Sequence, residues 1–276
     1  MIDIHSTEPG CGTDFTAITT TAQKKDGTYV IAITTTAQKK DGTYVINGEK
    51  QFVSLIPEIT TYGGGFFVPY NAKGLTPTRF ETLGLDIGGM KYDNVEVPDY
   101  YLLGEENKGY GVANESFILS RVPLSLVMTA TAMRCVEEAM NYMKQREAFG
   151  RPIAAFGMMQ HQLADTLANL EAARWLAYYA GWVTDQYLKG NATLEQVADA
   201  GAKAKLFASK YAIQALHDVL EWYGALGLTT EIDMHMAFRS MRMITVAEGT
   251  MNAMRIIIAM NALGREYIPW RWVPKK

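Results

Sequence analysis

The texture of the sequence changes once, near Gly109, and that change constrains the fold more than any single motif does. Residues 1–104 are rich in Gly, Thr, Tyr and Val, with turn signals at Asp26-Gly27, Asp41-Gly42, Asn47-Gly48 and Gly63-Gly64-Gly65. β-branched and aromatic residues suit a pleated, half-buried surface, and Asp-Gly or Asn-Gly supplies the positive φ of tight turns. Lys91-Tyr92-Asp93-Asn94-Val95-Glu96-Val97-Pro98 reads as the closing strand of this half. From about Gly109, Ala, Met, Leu, Glu and Lys recur at helical spacing. The pattern predicts four helices over about 109–145, 156–190, 194–226 and 239–264, separated at Phe149-Gly150-Arg151-Pro152, Gly190-Asn191-Ala192-Thr193 and Gly224-Ala225-Leu226-Gly227. Strands followed by helices give an α+β fold: a small antiparallel β domain over 1–104, then an antiparallel four-helix bundle over 105–268, then a tail over 269–276. In the second helix, Leu163, Leu167, Leu170, Arg174 and Ala177 share a stripe that reads as core packing. Pro123 is expected to kink the first helix.

Inside the β half, residues 17–31 and 32–46 are the same fifteen letters, AITTTAQKKDGTYVI. Each copy reads as a hairpin, with Ile-Thr-Thr-Thr as one strand, Lys-Lys-Asp-Gly as the turn and Thr-Tyr-Val-Ile as the return. Repeat architectures need about three units to bury a continuous core, and two adjacent copies do not make one. The duplication therefore reads as a local insertion at 17–46, with a register ambiguity, since either hairpin can take the other's place.

Composition narrows the function classes. A hydrophobic fraction of 48% is that of a globular protein, and a net charge of −3 gives no electrostatic reason to expect nucleic acid or an anionic membrane as partner. No apolar run is expected to reach the length of a membrane span. Cys11 and Cys135, the two cysteines, are far apart in sequence, and no signal peptide is legible, so a cytoplasmic location is expected. No metal site is expected.

Four short stretches carry chemistry. Thr7-Glu8-Pro9-Gly10-Cys11-Gly12-Thr13-Asp14 is a glycine-rich turn whose amides could receive an anion or a flavin edge; by itself it is equally a simple loop. Asn47-Gly48-Glu49-Lys50-Gln51-Phe52-Val53-Ser54 is a turn and a strand with an aromatic. Arg146-Glu147-Ala148-Phe149-Gly150-Arg151-Pro152-Ile153 is a helix end with two cations. Ala247-Glu248-Gly249-Thr250 precedes the apolar run Ile256-Ile257-Ile258. Glu248 alone reads equally as a base or as an acid favoured by a helix N-terminus.

In this order and at these spacings the four stretches resemble the acyl-CoA dehydrogenase family, whose patterns are T-E-P-G-x-G-S-D, N-G-x-K-x-x-I-[TS], R-x-x-F-G-[RK]-P-[IL] and [YA]-E-G-T-x-x-x-x-R. The resemblance covers nearly the whole chain. It implies FAD-dependent oxidation of an acyl-CoA thioester to the 2,3-enoyl-CoA, with Glu248 removing the α-proton and the β-hydride passing to N5 of FAD. The α-CH of a thioester is a weak acid, so a base in contact and a stabilised enolate oxygen are required. Burial would raise the pKa of such a glutamate. Some relatives carry the base next to the arginine of the first long helix; Ser120 before Arg121 excludes that alternative here. The resemblance further assigns Thr7, Gly12, Thr13, Phe52, Ser54, Arg146, Phe149, Glu221, Gly224, Thr250 and Asn252 to FAD. It assigns Thr13, Phe117, Arg121, Ala247 and Gly249 to the acyl substrate. Arg146 and Phe149 would reach the cofactor of a neighbouring subunit, which implies a homodimer or homotetramer. An electron-transfer flavoprotein would reoxidise the flavin, although related oxidases use oxygen.

The family carries one copy of the hairpin where this chain carries two. The helical domain that precedes T-E-P-G in the family is expected to be missing, which would expose apolar surface and admit water to the site. The β domain is expected to be shortened after Ser54, with the second hairpin filling the vacated sheet. Glu221 stands where Gln is usual, Ala225 replaces a glycine, Gly157 stands where Gln usually follows, and Ala247 replaces a common tyrosine. These departures keep a second reading open, a non-catalytic scaffold or relic of the same fold.

Overall fold

A computed structural model describes residues 2–5, 28–29, 36–54, 60–63, 65–84, 87–106 and 109–267. The turn at 7–14, the turn Asp26-Gly27 and the tail from 268 lie outside the described residues. The chain forms two compact units, Met1–Ser116 and Phe117–Lys276. The first holds two antiparallel or mixed sheets and the second is helical, the α+β organisation that the change of texture implies.

In the first unit, β1 (Ile2–His5), β5 (Thr60–Gly63) and β6 (Phe66–Val68) make a three-stranded sheet in the order β1-β5-β6. The larger sheet runs β2-β3-β4-β8-β7, from β2 (Thr28–Tyr29), β3 (Thr36–Lys40), β4 (Thr43–Ser54), β7 (Leu75–Arg79) and β8 (Ile87–Pro98). The second repeat copy forms a hairpin about the expected Asp41-Gly42, with Lys39 and Lys40 in the strand and not in the turn; Ile33, Thr34 and Thr35 lie outside the described residues. Lys40 pairs with Thr43 across Asp41-Gly42, whose φ values of 42° and 80° are those of a type I′ turn. Its return strand β4 pairs with β8, the predicted closing strand. From the first copy, Thr28-Tyr29 adds to the outer edge by pairing with Gln38 and Ala37. The second hairpin is thus built into the sheet and not left unpaired.

Asn47-Gly48 is not the turn that the sequence suggests. It lies inside β4, where Ile46 pairs with Val95 and Gly48 with Tyr92, so Asp93 and Asn94 oppose Asn47 alone. This is a β-bulge on β8, with Asn94 at φ 50° and its amide donating to Asn47 Oδ1 at 2.7 Å. The extra residue resets the alternation. Met90 and Tyr92 are buried before it and Val95 and Val97 after it, all in one core with Tyr44, Ile46, Phe66 and Val68. The Asn47 side chain thus gives the amide of the bulged residue Asn94 an acceptor.

The second unit is built from α1 (Gly109–Gln145), α2 (Gly157–Leu188), α3 (Leu194–Trp222), α4 (Met234–Ile244) and α5 (Met251–Leu263). The first turns of α1 group with the β unit, so the division falls twelve residues beyond the boundary at 104 that texture suggests. α3 starts on a capping box, Thr193 with Gln196, and carries the small-residue line Ala200, Ala204, Ala208, Ala212 and Ala215, all buried. Short side chains there let neighbouring helices approach. The stripe expected on α2 is shifted. Thr166, Leu170, Ala173, Ala177, Ala180 and Val183 are buried, whereas Leu167 is exposed and Arg174 pairs with Glu171 at the surface. The fourth expected helix is two helices, α4 and α5, because residues 245–250 leave helical geometry. α3 ends at Trp222, and Gly224–Leu228 forms a 3-10 turn. α1 continues through Pro123.

Contrary to the sequence expectation, Gly111–Gln145 is long and apolar enough, by length and composition, to cross a membrane. Met128, Ala132, Val136, Ala139 and Met143 from this stretch are buried in the bundle core with Leu170, Leu216 and Trp222, which is the environment of a core helix.

Candidate functional site

The break between α4 and α5 is a turn, Ala247-Glu248-Gly249-Thr250, held from two other helices. Glu248 is half-buried and has φ 55°; Gly249 follows at φ 101°. A glutamate in the left-handed region is strained, at a cost on the order of 1–3 kcal/mol, and persists only where its surroundings impose it. Gly249 is favoured by its φ; a Cβ there would come 2.9 Å from Met254 Cε, the flexible end of a side chain that can shift. Thr250 ends the turn as the N-cap of α5, its hydroxyl accepting from the amide of Ala253 at 3.2 Å.

Three successive carbonyls of this turn face buried cations. Arg121 on α1 donates from Nε to Glu248 O at 3.1 Å. Lys205 on α3 donates from Nζ to Ala247 O and to Gly249 O. Arg121 is 7% exposed and Lys205 fully buried. Burial pushes the Arg121 guanidinium below its ordinary value, opposed by the Glu248 carboxylate. Burial and then the Arg121 charge push Lys205 down to about 8, again opposed by Glu248. A buried ammonium is costly without partners, and the carbonyl oxygens supply part of what water would. Sequence reasoning did not single out Lys205. A lysine among the buried small residues of α3 was the available signal.

The structure brings Glu248, Ala247, Gly249, Thr250 and Arg121 together. Phe117 lies one turn before Arg121 on α1, half-buried. Asn252, in the first turn of α5, accepts from Arg255 at 2.7 Å. Glu221 lies exposed at the end of α3, 3.9 Å from His217. Gly224 follows at φ 61° with open space where a Cβ would be, whereas a Cβ on Gly227 would meet the carbonyl oxygen of Leu220 at 2.2 Å. Gly227 is thus the glycine that packing demands in this turn.

Arg146 precedes a small hairpin of β9 (Glu147–Ala148) and β10 (Arg151–Pro152). Phe149 and Gly150, at φ 52° and 76°, form its type I′ tip, with Phe149 96% exposed. In the β unit, Phe52 is the extra residue of a second bulge between Gln51 and Val53, at φ 56° and 60% exposed. Phe80 packs edge-on against it at 5.5 Å. Ser54 ends β4, and Thr7, Gly12 and Thr13 lie outside the described residues.

Five non-glycine residues have positive φ among the described residues: Asp41, Phe52, Asn94, Phe149 and Glu248. Asp and Asn tolerate that region in turns and bulges. The other three are residues that the sequence assigns to FAD or to catalysis. An aromatic re-aimed out of its strand with an open face fits the ring of a flavin, and an open glycine turn after α3 fits close approach of a cofactor. The described residues at these positions are therefore compatible with FAD. No cluster of three or more His, Cys, Asp or Glu side chains able to hold a metal occurs among the described residues.

A β unit with an exposed bulged aromatic, followed in the chain by a helical unit with a strained glutamate between two helices, defines an α+β class of protein. The sequence profile of the acyl-CoA dehydrogenase C-terminal domain matches residues 107–263, and the chain belongs to the acyl-CoA dehydrogenase family of FAD-dependent oxidoreductases. The acyl-CoA dehydrogenase of Bacillus subtilis is 31% identical over 276 residues, covering 94% of this chain and 67% of that protein. The 3-(aryl)acrylate reductase of Clostridium sporogenes is 30% identical, covering 93% and 67%. Among solved structures, a glutaryl-coenzyme A dehydrogenase in complex with glutaryl-CoA matches with a TM-score of 0.80 at 25% identity, over 95% of this chain and 65% of that one. Butyryl-CoA dehydrogenase from Megasphaera elsdenii shares the fold, with a TM-score of 0.81 at 24% identity over 95% and 68%. The chain spans about two thirds of the length of the relatives it matches.

Proposed function

We infer that this chain catalyses α,β-dehydrogenation of an acyl-CoA thioester, with Glu248 as the base that removes the α-proton. The observation that carries the reading is the conformation of Glu248, strained at φ 55° and fixed through its own carbonyl and those on either side by buried Arg121 and Lys205. A base that must contact a weak carbon acid gains from being held in one geometry. FAD supplies the acceptor for the β-hydride. Phe52 in the β unit and Gly224, Thr250 and Asn252 in the helical unit are the described residues that the resemblance assigns to FAD, together with Glu221.

Phe149 and Arg146 support an oligomer as the working form. An aromatic 96% exposed on a strained turn, touching its own chain only edge-on at Phe156 (6.2 Å between ring centroids), buries almost none of its surface there. Contact with FAD of a neighbouring subunit in a homodimer or homotetramer accounts for both features. Reoxidation by an electron-transfer flavoprotein is supported by the relative from Acetobacterium woodii described as a subunit of a caffeyl-CoA reductase-Etf complex. A cytoplasmic location remains part of this reading.

The test is the visible spectrum of the purified protein after FAD addition and removal of excess. Straight-chain, cyclohexyl and aryl acyl-CoA thioesters are then added without oxygen. Bleaching of retained flavin by one class supports the dehydrogenase and names its substrate. Failure to retain flavin overturns the reading in favour of a scaffold of the same fold, for which the negative charge of exposed Glu221 beside the 224–228 turn is the observation in favour.

A further inference from the structure

The turn that carries Glu248 has a keeper outside the family's short motifs. We propose that Lys205 is a positioning residue, whose buried ammonium clamps the carbonyls of Ala247 and Gly249 and thereby aims the Glu248 turn at the substrate. This deepens the dehydrogenase reading and rests on it.

The argument is geometric. In a trans peptide the C=O of one residue and the N–H of the next point in opposite directions. Ala247 O and Gly249 O are held by Lys205, and Glu248 O between them by Arg121. The N–H groups of Glu248, Gly249 and Thr250 therefore each point away from the cation that holds the carbonyl of the same peptide. One clamp fixes two things at once. It sets the direction in which the Glu248 side chain leaves the backbone, and it turns the N–H groups of Glu248 and Thr250 away from the ammonium. N–H groups so directed favour a developing negative charge.

The strain of the turn needs this hold. Glu248 and Gly249 occupy consecutive left-handed conformations, and the turn stands between two short helices of 11 and 13 residues. Arg121 alone fixes a single peptide plane and leaves the planes on either side free to rotate. Lys205 stands on α3, the most buried helix, among buried small residues. Its anchor is therefore rigid, and its stem is enclosed by the bundle. A lysine placed there only to pack would be replaceable by methionine, which has similar length and no charge to bury. The local chemistry thus separates the two roles.

The test compares the full chain carrying Lys205→Met or Lys205→Gln with wild type and with Lys203→Met, an exposed lysine paired with Asp199 on the same helix. Amide hydrogen exchange is read at residues 247–250 and at the buried parts of α3 and α5. Where wild type reduces its flavin with a thioester, kcat and KM are read as well. Lys205→Met is expected to speed exchange at 247–250 at least tenfold, with α3 and α5 unchanged, and to lower kcat at least tenfold with little change in KM. Lys205→Gln retains a donor and should show the same localised pattern at smaller size, and Lys203→Met should match wild type. Unchanged exchange at 247–250 overturns the proposal. So does equal loosening of the whole bundle, or failure of both Lys205 variants to fold, since either makes Lys205 a general structural residue. Exchange does not depend on turnover, so a wild-type protein that never bleaches defeats the dehydrogenase reading without deciding the clamp.

Discussion

Arg121 Nε lies 3.1 Å from the carbonyl oxygen of Glu248, 127 residues further along the chain. The bond joins the first helix of the bundle to the turn before the last. It is made to the backbone carbonyl and not to the carboxylate. The arrangement separates holding the residue from using it.

Glu248→Gln tests the use. The amide keeps the size of the side chain and the backbone bonds to Arg121 and Lys205. Thioester-dependent flavin reduction should fall ~10²-fold or more while flavin retention stays at the wild-type level. Stopped-flow absorbance in the absence of oxygen measures the first and equilibrium dialysis the second. Reduction at the wild-type rate would remove Glu248 as the base.

Lys205 gives the pH dependence a definite sign. Its pKa is about 8 in the folded chain, against 10.5 for an ordinary lysine. Between these values the unfolded chain holds a proton that the folded chain has released, so this group makes stability rise with pH over that window. Below pH 8 the buried charge holds stability down by about 3 kcal/mol. Cys135 works in the other direction. Burial pushes its thiol from 9.0 up to about 11, so its contribution is full below pH 9 and is lost as pH rises through 11. The difference in urea-unfolding free energy between wild type and Lys205→Met cancels the cysteine. That difference should shift in favour of wild type between pH 7 and pH 10.

Gly227→Ala and Gly224→Ala should separate packing from backbone strain. At Gly224 only the left-handed φ of 61° opposes alanine, for about 1 kcal/mol. At Gly227 a Cβ would sit 2.2 Å from a backbone oxygen, so α3 or the following turn must move. Gly227→Ala should therefore lower the thermal midpoint clearly more than Gly224→Ala does. Calorimetry of both variants decides it, and equal shifts would mean the turn adapts freely.

Phe149→Ala should leave the stability of the isolated chain within about 0.5 kcal/mol, since the side chain is exposed and alanine meets the same positive φ. If Phe149 serves a neighbouring subunit, the same change should weaken association or flavin retention. Sedimentation at several concentrations reads the first, and the flavin spectrum the second.

Deleting either repeat copy yields one and the same sequence, because residues 17–31 and 32–46 are identical. The product should keep the hairpin of β3 and β4 with its pairing to β8, and lose the added edge of Thr28-Tyr29. Amides of Val45 and Ile46 should retain wild-type exchange protection. Their loss would show that the first copy supports the second.

Much of the site was legible locally. The Asp41-Gly42 turn, the helix signal in α1, α2 and α3, and the family motifs around Phe52, Phe149 and Glu248 all depend on neighbours within a few residues. The break between α4 and α5 was not legible, since Met234–Leu263 keeps a helical texture through residues 245–250. α4 ends at Ile244, and Arg121 and Lys205 hold the carbonyls of 247–249 in the turn beyond it. Asn47-Gly48 looked like a turn because its letters permit one. The pairing of β4 with the bulged β8 keeps it extended.

The repeat draws the line between the two kinds of information most sharply. Sequence by itself determined that each copy can make a hairpin, that strands precede helices, and that the chain belongs with acyl-CoA dehydrogenases. Tertiary structure decided that Thr43-Tyr44 enters a central strand, with Tyr44 buried, while the identical Thr28-Tyr29 lies at the sheet edge. It also decided that Lys205, an ordinary letter in a helical stretch, meets the turn at Glu248. Propensity and turn chemistry act between near neighbours and are the same for identical letters. Burial, strand partnership and the partners of a buried charge depend on residues distant in the chain, and only the folded arrangement supplies them.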